Sequence, residues 1–204
     1  MKWVINCLLL FTIMLSSCRS NTYSVLPKDY VKMLVNPEGV FRRAVITGNK
    51  EYQIQLATPE YIAIQEYSEQ LSNIDTVEFA KRLDELSGHI FFLIKVIDID
   101  PSESVSGQIV KKFEAEKMAM YYMSKAANDI TLLEDGNVKK KQVSYQFENN
   151  YSLVAYNTIV VGFEHSSPYQ GVELVFNDRY NSNPYIKAKY SETELHKLPG
   201  LRFK

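Results

Sequence analysis

Residues 89–100 read HIFFLIKVIDID, and this stretch limits the fold more than any other. Apolar side chains fall on both alternating faces, with Lys95 the one exception before Asp98. A strand of this kind has no face to offer water, so it must be central and covered on both sides. Pro101 ends it. The rest of the chain must supply the neighbouring strands and the covering layers.

The neighbours are legible from turn chemistry. Segments 40–47 and 51–57 flank Gly48-Asn49-Lys50, where Gly-Asn supplies the positive φ of a tight hairpin. Tyr52, Ile54 and Leu56 alternate with Gln53 and Gln55, as a half-buried strand requires. Further on, 131–134 and 138–148 flank Asp135-Gly136-Asn137, a second hairpin signal. Val143, Tyr145 and Phe147 alternate there with Gln142, Ser144 and Gln146. Segments 153–164, 172–177 and 185–190 follow, separated by Asn149-Asn150, Ser166-Ser167-Pro168 and the polar stretch 181–184. The pattern predicts a C-terminal antiparallel meander of four or five strands.

Helix signals lie between these strands. Pro27 and Asp29 introduce a short helix closed by Asn36-Pro37 and Gly39. Thr58-Pro59-Glu60 combines a cap, a first-turn proline and an acid at the positive helix end. Tyr61, Ile64, Tyr67, Leu71 and Ile74 follow at helical spacing. Asp75-Thr76-Val77-Glu78 restarts a helix whose face is Phe79, Leu83 and Leu86, and Ser87-Gly88 ends it. A longer helix is expected over 103–130, with Ile109, Phe113, Met120, Met123, Ala127 and Ile130 facing inward. Its methionines, Met118 included, read as core filler, with a ligand or partner groove as the alternative. The expectation is one α+β domain over 27–204. Its antiparallel sheet joins the N-terminal hairpin, the central strand and the C-terminal meander, and two or three helices pack against it.

The first residues, MKWVINCLLLFTIMLSSCRS, have a different character. Lys2 is followed by the uncharged segment 3–15, then Ser16, Ser17 and Cys18. That run suits a signal-peptide core and is short of the about 20 residues that span a bilayer as a helix. Leu15-Ser16-Ser17-Cys18 resembles a bacterial lipobox. The resemblance implies a signal peptide over 1–17, a diacylglycerol on the Cys18 sulfur, cleavage before Cys18, and acylation of the new amino group. Residues 18–26 then read as a tether. An ordinary secretory signal would favour a small residue where Leu15 stands, and an uncleaved anchor would need a longer apolar run. Arg19 after the cysteine, with no acidic run in RSNTYS, implies by the same resemblance an outer-membrane protein facing the periplasm. Cys7 leaves with the signal and no cysteine follows Cys18, so the mature domain has neither a disulfide nor a thiol nucleophile.

Signals for catalysis are sparse. No Gly-x-Ser-x-Gly elbow occurs. His89, His165 and His196 show no metal-ligand spacing, and each reads as structural or solvated. Asp98-x-Asp100-x-Ser102 begins like a calcium loop, but Glu103 and Ile109 stand where a glycine and a bidentate acid belong. Glu116 falls at the edge of the long helix's apolar seam. No phosphate-binding glycine pattern appears, and no cofactor is expected. The net charge is −1 and the one basic run is Lys139-Lys140-Lys141, which reads as solvated edge protection, so nucleic-acid binding is not expected. Tyrosine is abundant at 14 residues, many in strand positions that suit core and cross-strand pairing. Within Asn177-Asp178-Arg179-Tyr180-Asn181, the residues Asp178, Arg179 and Tyr180 form the candidate exposed recognition loop.

The lipobox, the Tyr- and Asn-rich strands and the terminal LHKLPGLRFK together resemble uncharacterised envelope lipoproteins of Bacteroidota, a resemblance that carries no assigned activity. Anchoring together with the absence of a catalytic constellation leads to the expectation of a non-enzymatic interaction or assembly subunit, held to the membrane through Cys18 and working with an envelope protein partner. The alternative is a glycan- or lipid-binding module, favoured by an exposed platform of Tyr180 and Tyr185 or by a cavity under the methionines. A hydrolase would need His89 or His165 beside an acid in a concave pocket.

Overall fold

The computed structural model describes residues 23–68, 75–99, 116–149, 156–165, 170–181 and 185–203. Cys18 and the signal segment therefore lie outside the described residues, as do Leu71, Ile74, Ile109, Phe113, Tyr151, Tyr169 and the calcium-like residues Asp100 and Ser102. In chain order the first elements are β1 (Ser24–Val25), α1 (Pro27–Val35), β2 (Arg42–Thr47), β3 (Lys50–Ala57), α2 (Pro59–Glu66), α3 (Thr76–Leu86) and β4 (His89–Asp98). Helix α4 (116–124) follows. Then come β5 (Ile130–Glu134), β6 (Val138–Lys139), β7 (Gln142–Glu148), β8 (Tyr156–Glu164), β9 (Val172–Asn177), β10 (Tyr185–Tyr190), α5 (Glu192–Leu195) and β11 (Gly200–Leu201). No described helix is long and apolar enough to cross a membrane.

Strand β4 takes the central place its composition demands. It is third in a five-stranded antiparallel sheet ordered β2-β3-β4-β8-β7, with Ile94 opposite Ile54 on one side and Ile159 on the other. Ile90, Phe92, Ile94 and Val96 are buried on one face. The other face is covered less: Phe91 is buried but Leu93 and Lys95 are half-buried. Lys95 is accommodated there with its ammonium 4.4 Å from the Tyr156 ring centroid.

The α+β class, with antiparallel sheets and packed helices, is as the sequence reads. The C-terminal strands, however, do not run as one meander. Strands β7 and β8 return to β4, while β10-β9-β5-β6 form a second, four-stranded antiparallel sheet. The chain changes sheets within two residues: the Lys140 amide donates to Leu132 in the second sheet, and the Lys141 carbonyl accepts from Glu164 in the first. Side-chain alternation marks strands but carries no information about partners, which is why the split is silent in the sequence. The core lies between the sheets. Tyr52 meets Phe176 edge-on at 6.1 Å, and Phe92 lies 5.8 Å from Tyr190, whose hydroxyl donates to the Ile54 carbonyl at 3.1 Å.

The helices start where their caps predict. Thr58 Oγ1 accepts from the Tyr61 amide, and Asp75 Oδ1 accepts from Val77 and Glu78. Phe79 of α3 is buried against Tyr67 and Phe203. Two expectations need correction. In α4 the inward residue is Tyr122, fully buried, with Met118 half-buried, while Met120 and Met123 are each 69% exposed and Glu116 is exposed. The aromatic ring takes the core position and rotates the methionines outward. Ser24 and Val25, read in the sequence as part of a tether over 18–26, pair in parallel with Gly200 and Leu201.

Candidate functional site

A cavity of about 370 Å³ opens at one end of the five-stranded sheet. Its apolar wall comes from Leu56 at the end of β3, Ile90 at the start of β4, Leu83 of α3, and Leu195, Leu198 and Pro199 of the C-terminal segment. Its polar arc consists of Tyr30, Thr58, Glu60, Ser87, His89 and His165. This mix of apolar wall and few convergent polar groups is characteristic of a ligand pocket.

Local sequence explains the arc. Thr58 ends β3 and caps α2, which turns Glu60 into the first helical turn, where the helix dipole favours a carboxylate. The Tyr30 hydroxyl of α1 lies 2.7 Å from Thr58 Oγ1 and donates to Glu60 Oε2 at 3.4 Å, giving a chain of polar atoms along one side. Gly88 turns α3 into β4 with φ +74°, a conformation that a side chain would strain. His89 follows it, and its Nδ1 lies 3.2 Å from the Leu86 carbonyl. A carbonyl only accepts, so the proton is on Nδ1 and Nε2 is left as an acceptor in the neutral ring. Ser87 donates to the Asp84 carbonyl at 2.7 Å, which commits its hydroxyl away from the histidine.

His165 closes the inner wall and is only 4% exposed, although its sequence setting reads as a loop. Its amide donates to the Gly88 carbonyl, which pins the end of β8 to the start of β4. Its Nδ1 stands 3.1 Å from Glu134 Oε1, within ion-pair range but without hydrogen-bond alignment. Lys140 Nζ lies 3.0 Å from the other Glu134 oxygen. Burial pushes His165 below its usual pKa, and the nearby Lys140 adds to this, against the pull of Glu134. Lys140 is thus no solvated edge residue, whereas Lys139 is exposed as expected and Lys141 pairs with Glu164 at the surface. His196 is exposed, with Nδ1 2.8 Å from the Glu192 carbonyl.

The expected recognition loop divides. Arg179 is exposed and reaches Asp129 at 3.1 Å. Tyr180 is half-buried and stacked on Tyr121 at 6.0 Å. Asp178 is fully buried and cannot belong to an exposed loop. Its Oδ2 accepts from Tyr52, Tyr122 and Asn181 Nδ2, and its Oδ1 accepts from the amides of Tyr180 and Asn181. Five donors satisfy one carboxylate without a cation. Tyr185 is 67% exposed, but Tyr180 is turned onto Tyr121, and Tyr190 is buried. Among the described residues, no group of three or more His, Cys, Asp or Glu side chains is placed to hold a metal ion.

No family model matches the chain, and no curated relative matches it. Among solved structures, the chain is similar to a novel protein of unknown function from Burkholderia pseudomallei K96243. The two are 10% identical with a TM-score of 0.35, over 85% of this chain and 93% of that one.

Proposed function

We propose that this is a membrane-anchored envelope lipoprotein whose mature domain works by non-covalent recognition of a small ligand. The anchoring rests on Leu15-Ser16-Ser17-Cys18. The recognition rests on one observation, the cavity bounded by Leu56, Leu83, Ile90 and the Tyr30–Thr58–Glu60 arc. Its volume lies within the roughly 300–1,000 Å³ of ordinary ligand sites. Binding is favoured over acyl transfer because the wall hydroxyls already have other partners. Thr58 is bonded to Tyr30 and the Tyr61 amide, and Ser87 to Asp84.

Two measurements test this reading. Labelled palmitate is expected on the wild-type chain and not on Cys18→Ala; label on both overturns the anchor. Mass spectrometry of material released on denaturing the membrane-extracted protein is expected to find a small molecule. Ser87→Trp, which plugs the mouth from an exposed position, should abolish that release. Equal release from both proteins overturns the cavity as the site.

A second reading, an interaction or assembly subunit with an envelope protein partner, is favoured by Met120 and Met123. They lie three residues apart on α4 and are both exposed, as flexible apolar contacts at protein surfaces often are. Crosslinking from residue 120 in the intact envelope tests it: a single specific adduct supports that role, and no adduct removes it.

A further inference from the structure

Among the described carboxylates that are at least half-buried, all but two have cationic partners or full sets of donors: Glu51, which accepts from Gln53 at 2.8 Å outside the cavity, and Glu60 within it. Glu134 is paired with Lys140, Glu194 with Arg43, and Asp129 with Arg179. Asp178 has five donors instead. Glu60 is half-buried and receives only the 3.4 Å contact from Tyr30. Among the described residues no lysine or arginine lines the cavity, and Glu60 is the one formally charged wall residue apart from the histidines. The helix dipole accounts for an acid at this position, but not for a cavity in which it stands as the lone charge. A half-buried carboxylate beside an apolar chamber is complementary to a cation with an apolar body and repels an anion.

The cavity's place in the chain adds a source for such a ligand. Gly200 in its wall pairs with Ser24, and Cys18 precedes Ser24 by six residues. Fully extended, that segment reaches about 22 Å. A lipid on Cys18 would therefore hold the cavity within reach of the bilayer surface.

Resting on the ligand-binding reading above, we propose that the cavity takes an amine-headed amphiphile, its ammonium at Glu60 beside Tyr30 and its chain against Leu56, Leu83, Ile90 and Leu195. Hexylamine, hexanol and hexanoate are suitable probes because they share a tail and differ in head charge. Each is titrated against the anchored protein in lipid nanodiscs by saturation-transfer NMR, with empty nanodiscs subtracted. Hexylamine is expected to bind most tightly, to lose about tenfold in affinity on Glu60→Gln, a loss typical of one charge-assisted hydrogen bond, and to retain affinity on Glu60→Asp. Ser87→Trp should abolish binding. Hexanol or hexanoate binding as tightly as hexylamine, with indifference to Glu60→Gln, overturns the amine head while leaving a ligand cavity. No binding by any probe, or binding unaffected by Ser87→Trp, overturns both.

Discussion

Tyr122 and Asp178 stand 56 residues apart in sequence and are joined in the core by a 2.6 Å hydrogen bond. The phenol comes from α4 and the carboxylate from the end of β9, so the bond ties a helix to the second sheet. Tyr52 brings in the first sheet through its own 2.7 Å bond to the same oxygen. Burial, reinforced by the Asp178 charge, pushes the Tyr122 hydroxyl far above its usual pKa, which keeps it a donor throughout the accessible pH range. The cluster is a structural knot, and its chemistry sets the first expectation.

Asp178→Ala should leave the Tyr52 and Tyr122 hydroxyls without their common acceptor. Each buried group left unpaired costs about 1–3 kcal/mol, so the loss should reach about 3 kcal/mol or more. Tyr122→Phe deletes a donor and orphans no acceptor, because Oδ2 keeps Tyr52 and Asn181, so it should cost less, about 1.5–3 kcal/mol. Urea unfolding midpoints measure the order. A larger loss in Tyr122→Phe than in Asp178→Ala would show that the Tyr122 hydroxyl and its bond from Asn181, not the carboxylate, organise the knot.

His165 should make stability depend on pH. Its folded pKa lies below the 6.5 of the unfolded chain, because burial disfavours the charged ring. The groups facing it are Glu134, which pulls the pKa up, and Lys140, which pushes it down. Below pH 6.5 the unfolded chain binds a proton that the folded chain refuses, so unfolding gains. The stabilisation is therefore complete above that pH and is lost as pH falls towards the folded pKa. The slope in that window approaches about 1.4 kcal/mol per pH unit at most. His165→Gln should flatten the profile in chemical denaturation between pH 7 and 5. An unchanged profile would show that another group carries the dependence.

Much of this fold was legible. The both-faced apolar run of β4 placed it in the sheet centre, and Gly48 and Gly136 located the hairpin turns. Thr58 and Asp75 marked helix starts because capping is local chemistry. What escaped was non-local. The division of strands between two sheets depends on which edge each strand meets, and β1 and β11 pair across nearly the whole chain. Met120 and Met123 share helical spacing with an inward face, yet Tyr122 fills that face with more buried area and sets the rotation. The cavity draws on α1, α2, α3, β3, β4, β8 and the C-terminal segment, so no spacing in the sequence could bring Glu60, His89 and His165 together. Asp178 and Asn181 flank Tyr180 as a loop would, and only the three-dimensional placement of Tyr52 and Tyr122 makes that aspartate internal.

Thr58 serves two partners at once, accepting from the Tyr61 amide as a cap and meeting Tyr30 at 2.7 Å. Thr58→Val keeps the shape and removes both bonds, and should cost about 1–2 kcal/mol, the usual range for a lost cap. Thr58→Ser keeps the hydroxyl and should recover most of it. Thermal unfolding of the pair separates hydroxyl loss from methyl packing: a serine variant as weak as the valine one would show that the methyl contributes as much as the hydroxyl.

Gly162 is the sharpest steric prediction. It lies opposite Phe91 in the β4–β8 ladder. A methyl group built on Gly162 would come within 2.7 Å of the Phe91 ring and 2.5 Å of Ser144 Oγ. The serine hydroxyl can rotate away. The Phe91 ring cannot do so cheaply, since it is itself buried. Gly162→Ala should therefore cost about 1–3 kcal/mol through overpacking. In a domain of this size that is about 2–4 °C in Tm for each kcal/mol. Phe91→Leu alone should also destabilise, by removing buried ring area. In the double variant the smaller leucine gives the alanine methyl room, so the two losses should sum to less than their separate values. Strict additivity in the double-mutant cycle would mean that the alanine strains the backbone of β8 rather than striking the ring.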